Sequence, residues 1–429
     1  MREVGLLTVL LALGACTEGT AAATPPQAKP EPGLDWATFL GADHTGVSKE
    51  TGLLASWPEK GPPLLWKRTL GETYAVPSVA DGVLVLFHRV GGEAVVEAAD
   101  PATGANKWKF SYPTRYRDRY GYCGGPRAQP TIDAGRVYTL GAEGRLHCVD
   151  LATGKPVWER PLQEEYFGET VQNFFGVGVA PRISGDALLL NLGDERAGCV
   201  TAVDKKTGKT LWRSGGDGAS YSTPVVATVG KTRMALFLTR EGGLGARLHD
   251  GEVLWTYPFR SREPESANAA SPVVVGDTVL LSAAYGVGSA LLRLEEGGVK
   301  ELWRNKALSS HWATPIHVDG HVYGFDGRHA REAELRCVRL SDGAVLWSRN
   351  GYERGSMTLA EGKFYILAED GRLVLAELTP KGCREISSAR VLTADCWAAP
   401  VLSRGRLYVQ NFDHGTGQAT LLCLDVRAK

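Results

Sequence analysis

The sequence predicts an all-β protein: a single eight-bladed β-propeller with four-stranded blades, closed by the N-terminal strand. Two short phrases recur in phase along the chain, and self-similarity of this kind is typical of repeat architectures. The 52 glycines among 429 residues supply tight turns between short strands. Helical periodicity is nearly absent, which excludes helical solenoids.

The first phrase is a small residue, a Pro, an apolar strand, a Gly turn and a second strand, as in "AQPTIDAGRVYTL" and "ATPIHVDGHVYGF". It occurs eight times, with Pro as the anchor in seven copies and Met in one. The Gly that follows favours a β-hairpin, because Gly adopts the positive φ that tight turns require. The anchors are Pro77, Pro130, Pro181, Pro224, Pro272, Pro315, Met357 and Pro400.

The second phrase is a strand, a turn and a Trp, as in "CVDLATGKPVW". Asp and Thr favour the turn, and Gly closes it. Together the two phrases give four short strands in about 42 to 54 residues, the length of one propeller blade. The outer-strand Trp residues are Trp66, Trp108, Trp158, Trp212, Trp255, Trp303 and Trp347.

The ring is expected to close with a strand from the N-terminus. The hairpin at Pro400 is followed by only one more strand, whereas an additional strand around Trp66 precedes the first hairpin. We therefore expect the N-terminal strand to complete the eighth blade, which removes exposed sheet edges. In the seventh blade Ile386 stands where a Trp is expected, so a less well packed outer corner is predicted there.

The segment before the repeats has three predicted parts. An apolar run of about ten residues is too short to span a bilayer and suits a signal-peptide core. It ends in "LGAC", which resembles a bacterial lipobox, so residues 1–16 are predicted to be a lipoprotein signal peptide with Cys16 lipidated. The alternative is an ordinary signal peptide with a chance cysteine. Residues 17–34, rich in Ala, Pro and Thr, are predicted to be a flexible tether.

Residues 35–62 have no repeat phase and are predicted to be an N-terminal lead-in segment. Its Trp36, Phe39 and Trp57 are expected to pack on one face of the propeller, as a plug or strap. Residues 63–429 are assigned to the eight-bladed propeller itself.

Charge, cysteines and motifs exclude several functions. Lys+Arg and Asp+Glu number 48 each, so no basic face for nucleic acid is indicated. The cysteines have no CxxC spacing, which argues against a metal site or a disulfide framework, although a Cys383–Cys396 bridge stays open. The H-E-x-x-H, G-x-S-x-G and P-loop motifs are absent, so no catalytic residue and no metal site is predicted.

The phrase A-x-D-x-x-T-G-x-x-x-W, matched closely at Asp150 to Trp158 and Asp204 to Trp212, resembles the tryptophan-docking repeat of pyrroloquinoline-quinone (PQQ) type propellers. The resemblance implies Trp rings that pack between neighbouring blades. It also implies one of two functions. Quinoprotein dehydrogenases bind PQQ and calcium, whereas BamB-like envelope lipoproteins are non-enzymatic and help to assemble outer-membrane β-barrels. No two cysteines are adjacent here, unlike the pair typical of quinoprotein alcohol dehydrogenases, and this favours the BamB-like branch.

Two adjacent inter-blade loops, from Lys109 to Gln129 and from Glu159 to Ala180, are unusually long. Exposed aromatic residues together with arginines are typical of a protein-binding hot spot. Alternatively the two loops pack on each other, with the arginines of the first facing the glutamates of the second. The predicted partner-binding residues are Tyr112, Tyr116, Tyr120, Tyr122, Tyr166, Phe167, Phe174 and Phe175.

A second aromatic set stands three residues before the anchor Pro. It consists of Tyr74, Tyr221, Trp312 and Trp397. In phase, these residues enter the innermost strands and are expected to ring the mouth of the central channel. A small aromatic ligand such as a quinone can stack there, and packing between blades is the alternative.

These observations predict a non-catalytic envelope lipoprotein, without a cofactor, that acts as a protein-interaction scaffold. It is expected to be a monomer on the periplasmic face of the outer membrane, held by its lipid anchor only. Its partners are expected to be envelope proteins and not nucleic acid. The alternatives are a dehydrogenase that uses PQQ with calcium, and a propeller that binds a small ligand without turnover.

Overall fold

The computed structural model describes Met1 and residues 34–166, 175–196, 198–393 and 395–428. The strands of these residues form eight sheets, so the predicted eight-bladed propeller with four-stranded blades is confirmed. The lead-in segment contributes β1 (Val47–Ser48), and the closing strand is β2 (Leu64–Leu70). No helix among the described residues combines the length and apolar character needed to cross a membrane.

The first four blades run from the innermost to the outermost strand in chain order. Their strands are β3 (Ser78–Ala80), β4 (Val83–Val90), β5 (Glu93–Ala99) and β6 (Asn106–Pro113); β7 (Thr131–Asp133), β8 (Arg136–Leu140), β9 (Arg145–Asp150) and β10 (Pro156–Pro161); β11 (Arg182–Ser184), β12 (Ala187–Leu190), β13 (Val200–Asp204) and β14 (Thr210–Ser214); β15 (Val225–Val229), β16 (Thr232–Leu238), β17 (Gly242–Arg247) and β18 (Val253–Pro258). A short helix, α1 (Leu162–Tyr166), follows the second blade.

The last four blades repeat this order, and the eighth lacks its own fourth strand. Their strands are β19 (Val273–Val275), β20 (Thr278–Ala283), β21 (Gly288–Glu295) and β22 (Gly298–Asn305); β23 (Ile316–Val318), β24 (His321–Asp326), β25 (Glu334–Arg339) and β26 (Val345–Arg349); β27 (Ser356–Ala360), β28 (Lys363–Leu367), β29 (Arg372–Thr379) and β30 (Gly382–Arg390); β31 (Val401–Ser403), β32 (Arg406–Asp413) and β33 (Gln418–Asp425). A 3-10 turn, Ala330–Glu332, interrupts the sixth blade.

The hairpins between the first two strands of a blade have the turn geometry that the Gly positions predicted. At Asp81-Gly82 φ is 51° and then 69°, and at Asp319-Gly320 it is 45° and then 75°. Two consecutive positive φ values are typical of a two-residue type I′ hairpin turn. A β-branched residue at Gly82 or Gly320 would therefore strain the turn.

The N-terminal strand completes the eighth blade as predicted. β2 pairs antiparallel with β33, and Trp66 lies opposite Cys423. At the same seam Arg68 of β2 forms an ion pair with the buried Glu97 of the first blade. The two ends of the chain therefore meet in one sheet, and the outer edge of β33 is covered.

The outer-strand Trp residues dock on the next blade. The Trp108 indole N–H donates to the Leu151 carbonyl at 2.8 Å, and a Cβ at Gly154 would lie 2.6 Å from its ring. Glycine at this turn therefore lets the ring lie flat on the backbone. Trp255 is buried in the corresponding core between blades four and five. The other docking residues, with indole bonds of 2.8 to 3.2 Å, are Trp66, Trp158, Trp212, Trp303 and Trp347.

The outer corner of the seventh blade differs from the prediction. The register places Ser387, not Ile386, opposite Leu375, at the position that Trp holds in the other blades, and Ile386 is the bulged residue. Trp57 of the lead-in segment packs at this corner instead. Its backbone N–H donates to Ser387 Oγ at 2.9 Å, and its ring stacks on Tyr365. The expected packing gap is therefore filled from outside the repeats.

The lead-in segment lies across the hairpin end of the channel. Trp36 exchanges two backbone hydrogen bonds with Val79 of the first blade, of 2.8 and 3.0 Å. β1 pairs in parallel with β27 of the seventh blade. The buried carboxylate of Glu50 accepts the backbone N–H groups of Arg404 and Gly405 in the eighth blade. Bonds to several blades hold the segment in place over this end.

Candidate functional site

A cavity of about 1200 Å³ occupies the central channel. It opens at the end opposite the β-hairpins that the lead-in segment covers. The position three residues before each anchor contributes to its wall in every blade, because the innermost strands converge on the channel. Two lead-in residues, Phe39 and Leu40, also line it and form its floor. The eight equivalent wall residues, from blade one to blade eight, are Tyr74, Arg127, Gly178, Tyr221, Ala269, Trp312, Arg354 and Trp397.

One half of this ring is a continuous wall of aromatic rings and guanidinium groups. The Arg354 guanidinium carbon lies 4.9 Å from the centre of the Trp312 ring and 5.3 Å from that of Trp397. The Trp397 ring lies 5.0 Å from the Tyr74 ring, and the Arg127 guanidinium carbon lies 5.6 Å from the latter. Cations over aromatic faces at these distances attract the ring quadrupole.

The opposite half of the ring holds the small residues Gly178 and Ala269 on either side of Tyr221. A Cβ at Gly178 would lie 3.4 Å from the Tyr221 ring, which is ordinary contact. The backbone would thus accept a larger residue than Gly at position 178. The small side chains of Gly178 and Ala269 leave this half of the cavity open.

Buried carboxylates hold the two ring arginines. Arg354 pairs with Glu369, which also accepts the Trp397 indole N–H at 2.8 Å. Arg127 pairs with Asp118, whose side chain is 1% exposed. An unpaired buried charge is costly, so each carboxylate holds the guanidinium group of its arginine in place.

Asp118 also shapes the first long loop. One of its carboxylate oxygens accepts the backbone N–H of Tyr120 at 2.8 Å and that of Tyr122 at 3.3 Å. The two tyrosine side chains are 44% and 45% exposed. The loop therefore presents two aromatic rings to solvent from an anchored turn.

These two tyrosines form part of the rim of the cavity. The Tyr122 ring lies 6.1 Å from Trp397, and the Tyr120 ring lies 5.7 Å from Phe175. A hydrogen bond to Glu265, in the loop before blade five, raises the pKa of Tyr120. The loop from blade one thus reaches across the cavity toward the opposite blades.

His311 lies in the wall beside Trp312. Its Nε2 is 3.2 Å from the Tyr285 hydroxyl. Burial, followed by the charges of Arg354 and Arg328, lowers the pKa of His311 to about 3. This imidazole is therefore neutral at physiological pH and adds no positive charge to the cavity.

The predicted partner-binding residues do not form one exposed surface. Tyr112 lies in β6 with 6% of its surface exposed and stacks on His147 at 4.2 Å, so its assignment to an exposed patch is wrong. Tyr116 is half-buried, with Arg127 over its ring. Tyr120, Tyr122 and Phe175 come together at the rim. Three predicted positions, Phe167, Phe174 and the lipidation site Cys16, lie outside the described residues, and the structure does not describe the Tyr166 side chain.

The two long loops contact each other through aromatic rings: those of Tyr120 and Tyr122 lie 5.7 and 5.9 Å from that of Phe175. Glu164 pairs with Arg145, and Glu165 pairs with Arg160, so both glutamates bind arginines of their own blade. Glu169, a further glutamate of the second loop, lies outside the described residues.

All four predicted channel-mouth residues line the cavity, but the sequence reading missed the two arginines between them. Arg127 and Arg354 occupy the same repeat position as Tyr74 and Trp397. The signal was present in the phase of the repeat. Both arginines stand three residues before an anchor, Pro130 or Met357, as the aromatic residues do.

A site for PQQ with calcium would need a cluster of oxygen ligands. The described residues contain no group of three or more His, Cys, Asp or Glu side chains that could hold a metal ion, whereas calcium takes six to eight oxygen ligands. Cys383 and Cys396 are not joined to each other by a disulfide.

The profile of one protein family, described as the outer membrane protein assembly factor BamB, matches residues 92–349, more than half of the chain. The BamB of Yersinia pestis is 24% identical over 318 residues, which cover 70% of this chain and 75% of that protein. The crystal structure of BamB from Moraxella catarrhalis aligns with a TM-score of 0.62 at 15% identity, covering 85% of this chain and 100% of that one. At this identity the structural likeness shows the fold alone.

Similarity extends to redox enzymes over a shorter span. The quinohemoprotein alcohol dehydrogenase of Comamonas testosteroni is 30% identical over 188 residues, which cover 42% of this chain and 25% of the enzyme. This chain therefore matches only a quarter of the enzyme's length.

Proposed function

This chain belongs to the family of the outer membrane protein assembly factor BamB, and from that membership we propose that it is a non-catalytic scaffold for protein assembly at the outer membrane. The long loop of blade one binds an envelope protein partner in this proposal. The observation that carries it is the pair Tyr120 and Tyr122. Among the described residues these are the aromatic side chains with large exposure, and aromatic anchors dominate binding energy at interfaces.

The anchored turn supports this assignment. An exposed ring on a mobile loop loses conformational entropy on binding, whereas a ring held by a preformed turn loses less. Asp118 supplies that turn through its bonds to the backbone of both tyrosines. Other exposed apolar residues, such as Val157 and Leu211, lie on outer strands away from the channel.

The experiment is site-specific photo-crosslinking in the bacterial envelope. A photoreactive residue at position 120 is expected to give a discrete crosslinked product with one envelope protein, and a matched one at the exposed Leu211 is not. In a second experiment the photoreactive residue is placed at a neighbouring position of the same loop. The double variant Tyr120→Ser and Tyr122→Ser should then abolish the crosslinked product. Equal crosslinking from positions 120 and 211 would reject the loop as the binding surface.

We further propose that the scaffold is held at the membrane by lipid on Cys16, which becomes the first residue after removal of residues 1–15, with residues 17–34 as a tether. The sequence "LGAC" supports this placement. Labelling cells with a radioactive fatty acid should label the wild type and leave Cys16→Ser unlabelled. Labelling of both forms would contradict the assignment of Cys16.

The alternative function, a PQQ-dependent dehydrogenase, is supported by the partial likeness to quinohemoprotein enzymes. Its test is direct. The purified protein is mixed with PQQ, calcium, an electron-accepting dye and a panel of alcohols and sugars. Dye reduction that requires PQQ and depends on Trp397 would replace the scaffold proposal, whereas no reduction is expected from the donor set described above.

A further inference from the structure

The wall of the cavity has no excess of positive charge, although three arginines line it. Each guanidinium faces a carboxylate, so its charge is compensated within the wall. The neighbouring His311 is neutral, His414 Nε2 lies 3.1 Å from an Asp395 oxygen, and Glu265 is a further carboxylate of the lining. An anionic ligand therefore finds no uncompensated guanidinium group in the described wall. The three pairs are Arg127–Asp118, Arg354–Glu369 and Arg328–Glu263.

The aromatic part of the wall is concave and is not a parallel slot. The planes of Tyr74 and Trp397 meet at 34°, those of Trp312 and Trp397 at 42°, and those of Tyr122 and Trp397 at 59°. A flat fused-ring ligand needs parallel faces to stack on both sides. A tilted set of faces instead fits puckered rings with apolar C–H faces.

Neutral polar groups lie deeper in the same cavity. The position one residue before the anchor supplies Gln129, Thr223, Thr314 and Ser356 to the lining. Within the protein the two threonine hydroxyls accept backbone N–H groups, and Gln129 and Ser356 donate to backbone carbonyls. The threonine hydroxyl protons and the Gln129 amide oxygen can then bond a ligand without charge. The lining thus combines aromatic faces, compensated arginines and neutral hydrogen-bonding groups, and these match hydroxyl groups on a ring.

We propose that this cavity binds a neutral, polyhydroxylated ring ligand, namely an oligosaccharide, stacked on Trp312, Trp397 and Tyr74. Its volume of about 1200 Å³ exceeds the roughly 300–1000 Å³ typical of drug-sized ligand pockets, so several sugar rings fit. The ligand enters past Tyr120 and Tyr122, and because Phe39 and Leu40 close the floor, the end of a glycan chain enters first. This inference does not rest on the proposed scaffold function.

The test is calorimetric titration of the purified protein with chitotetraose, cellotetraose and maltotetraose. Saturable binding of at least one is expected. Trp397→Ala should weaken it about tenfold, as expected for loss of one stacked ring. Ala269→Trp, which fills the open half and leaves the aromatic wall intact, should abolish it. The control Tyr257→Ala removes an aromatic ring from outer strand β18 and should leave the dissociation constant unchanged.

A second arm separates free oligosaccharides from polymers. Insoluble chitin or cellulose offers few chain ends, so weak retention on the polymer with tight binding of the matching tetrasaccharide supports end-on entry. Equal retention per sugar unit would contradict it. The proposal is overturned if no saccharide binds, if PQQ, phosphate or a proline-rich peptide binds more tightly than every saccharide, or if binding survives in the folded Ala269→Trp variant. Melting curves establish that each variant is folded.

Discussion

Glu97 joins the first blade to the strand that closes the ring. Its side chain is buried, pairs with Arg68 and lies 3.6 Å from His88 Nε2. The contact with His88, followed by the charge of Arg68, lowers the pKa of Glu97 to about 2. Because the folded-state pKa lies below that of the unfolded chain, the stabilisation is fully present above about pH 4.5. It is lost as the pH falls from there toward 2.

Glu97→Gln is therefore expected to lower the free energy of unfolding at pH 7, on the order of 2 kcal/mol or more, because it leaves the Arg68 charge buried without its partner. The difference from wild type should shrink as the pH falls from 4.5 toward 2, since the wild-type carboxylate becomes protonated. Melting temperatures from pH 7 to pH 3 measure this. The control Glu252→Gln alters an exposed carboxylate, and a difference that is constant with pH would contradict the assignment.

Asp118 orders the first long loop, so its replacement is expected to change the dynamics of that loop. Asp118→Ala removes the acceptor for the Tyr120 and Tyr122 backbone N–H groups and the partner of Arg127. Amide hydrogen exchange in residues 118–125 should then become faster by tenfold or more, corresponding to about 1.4 kcal/mol. Asp250→Ala removes a turn carboxylate on the outer side of blade four and serves as the control. Unchanged exchange in the loop would show that other contacts order it.

At the scale of single residues, the repeat phase predicts the location of a side chain where the same position recurs in every blade. It predicted that Tyr74, Tyr221, Trp312 and Trp397 would lie at the channel, because equivalent strand positions point the same way in every blade. It did not predict that Tyr112 is buried, since the sequence does not mark where strand β6 ends and the loop begins. It also could not pair Arg354 with Glu369, because that contact joins different strands and is set by packing.

At the scale of elements, the lead-in segment is the part that sequence reasoning resolved least. Its residues have no repeat phase, so neither their register nor their partners follow from periodicity. The structure shows that Trp57 stands 6.1 Å from Tyr365, close to the 5.9 Å between Trp66 and Tyr408 and the 6.2 Å between Trp347 and Tyr323. A residue outside the repeats thus takes the place of the docking Trp that the seventh blade lacks.

Trp57→Ala is accordingly expected to lower the free energy of unfolding by about 3 kcal/mol, within the range for large-to-small changes of a buried aromatic residue. Chemical unfolding monitored by circular dichroism measures the change. Leu211→Ala, at a side chain that is 51% exposed, is the control and should cost little. If Trp57→Ala unfolds at the same denaturant concentration as the control, the docking role of Trp57 is wrong.

At the scale of the whole molecule, counting strands was enough to predict how the ring closes. Eight hairpins with one strand missing at the end leave β2 as the partner of β33, because an open edge of this length invites pairing with another chain. The closure depends on β2 alone, whereas the floor of the cavity and the seventh corner depend on the lead-in segment. Two truncations separate these contributions.

A chain that starts at Gly61 keeps β2 and loses the lead-in segment, and one that starts at Glu72 loses both. The first is expected to stay monomeric with a lower melting temperature, because Trp57 and Glu50 no longer contact blades seven and eight. The second exposes the edge of β33 and should elute as oligomers or aggregates in size-exclusion chromatography. If both truncations elute as monomers and melt together, closure by β2 contributes little, and the ring is held by the contacts between its blades.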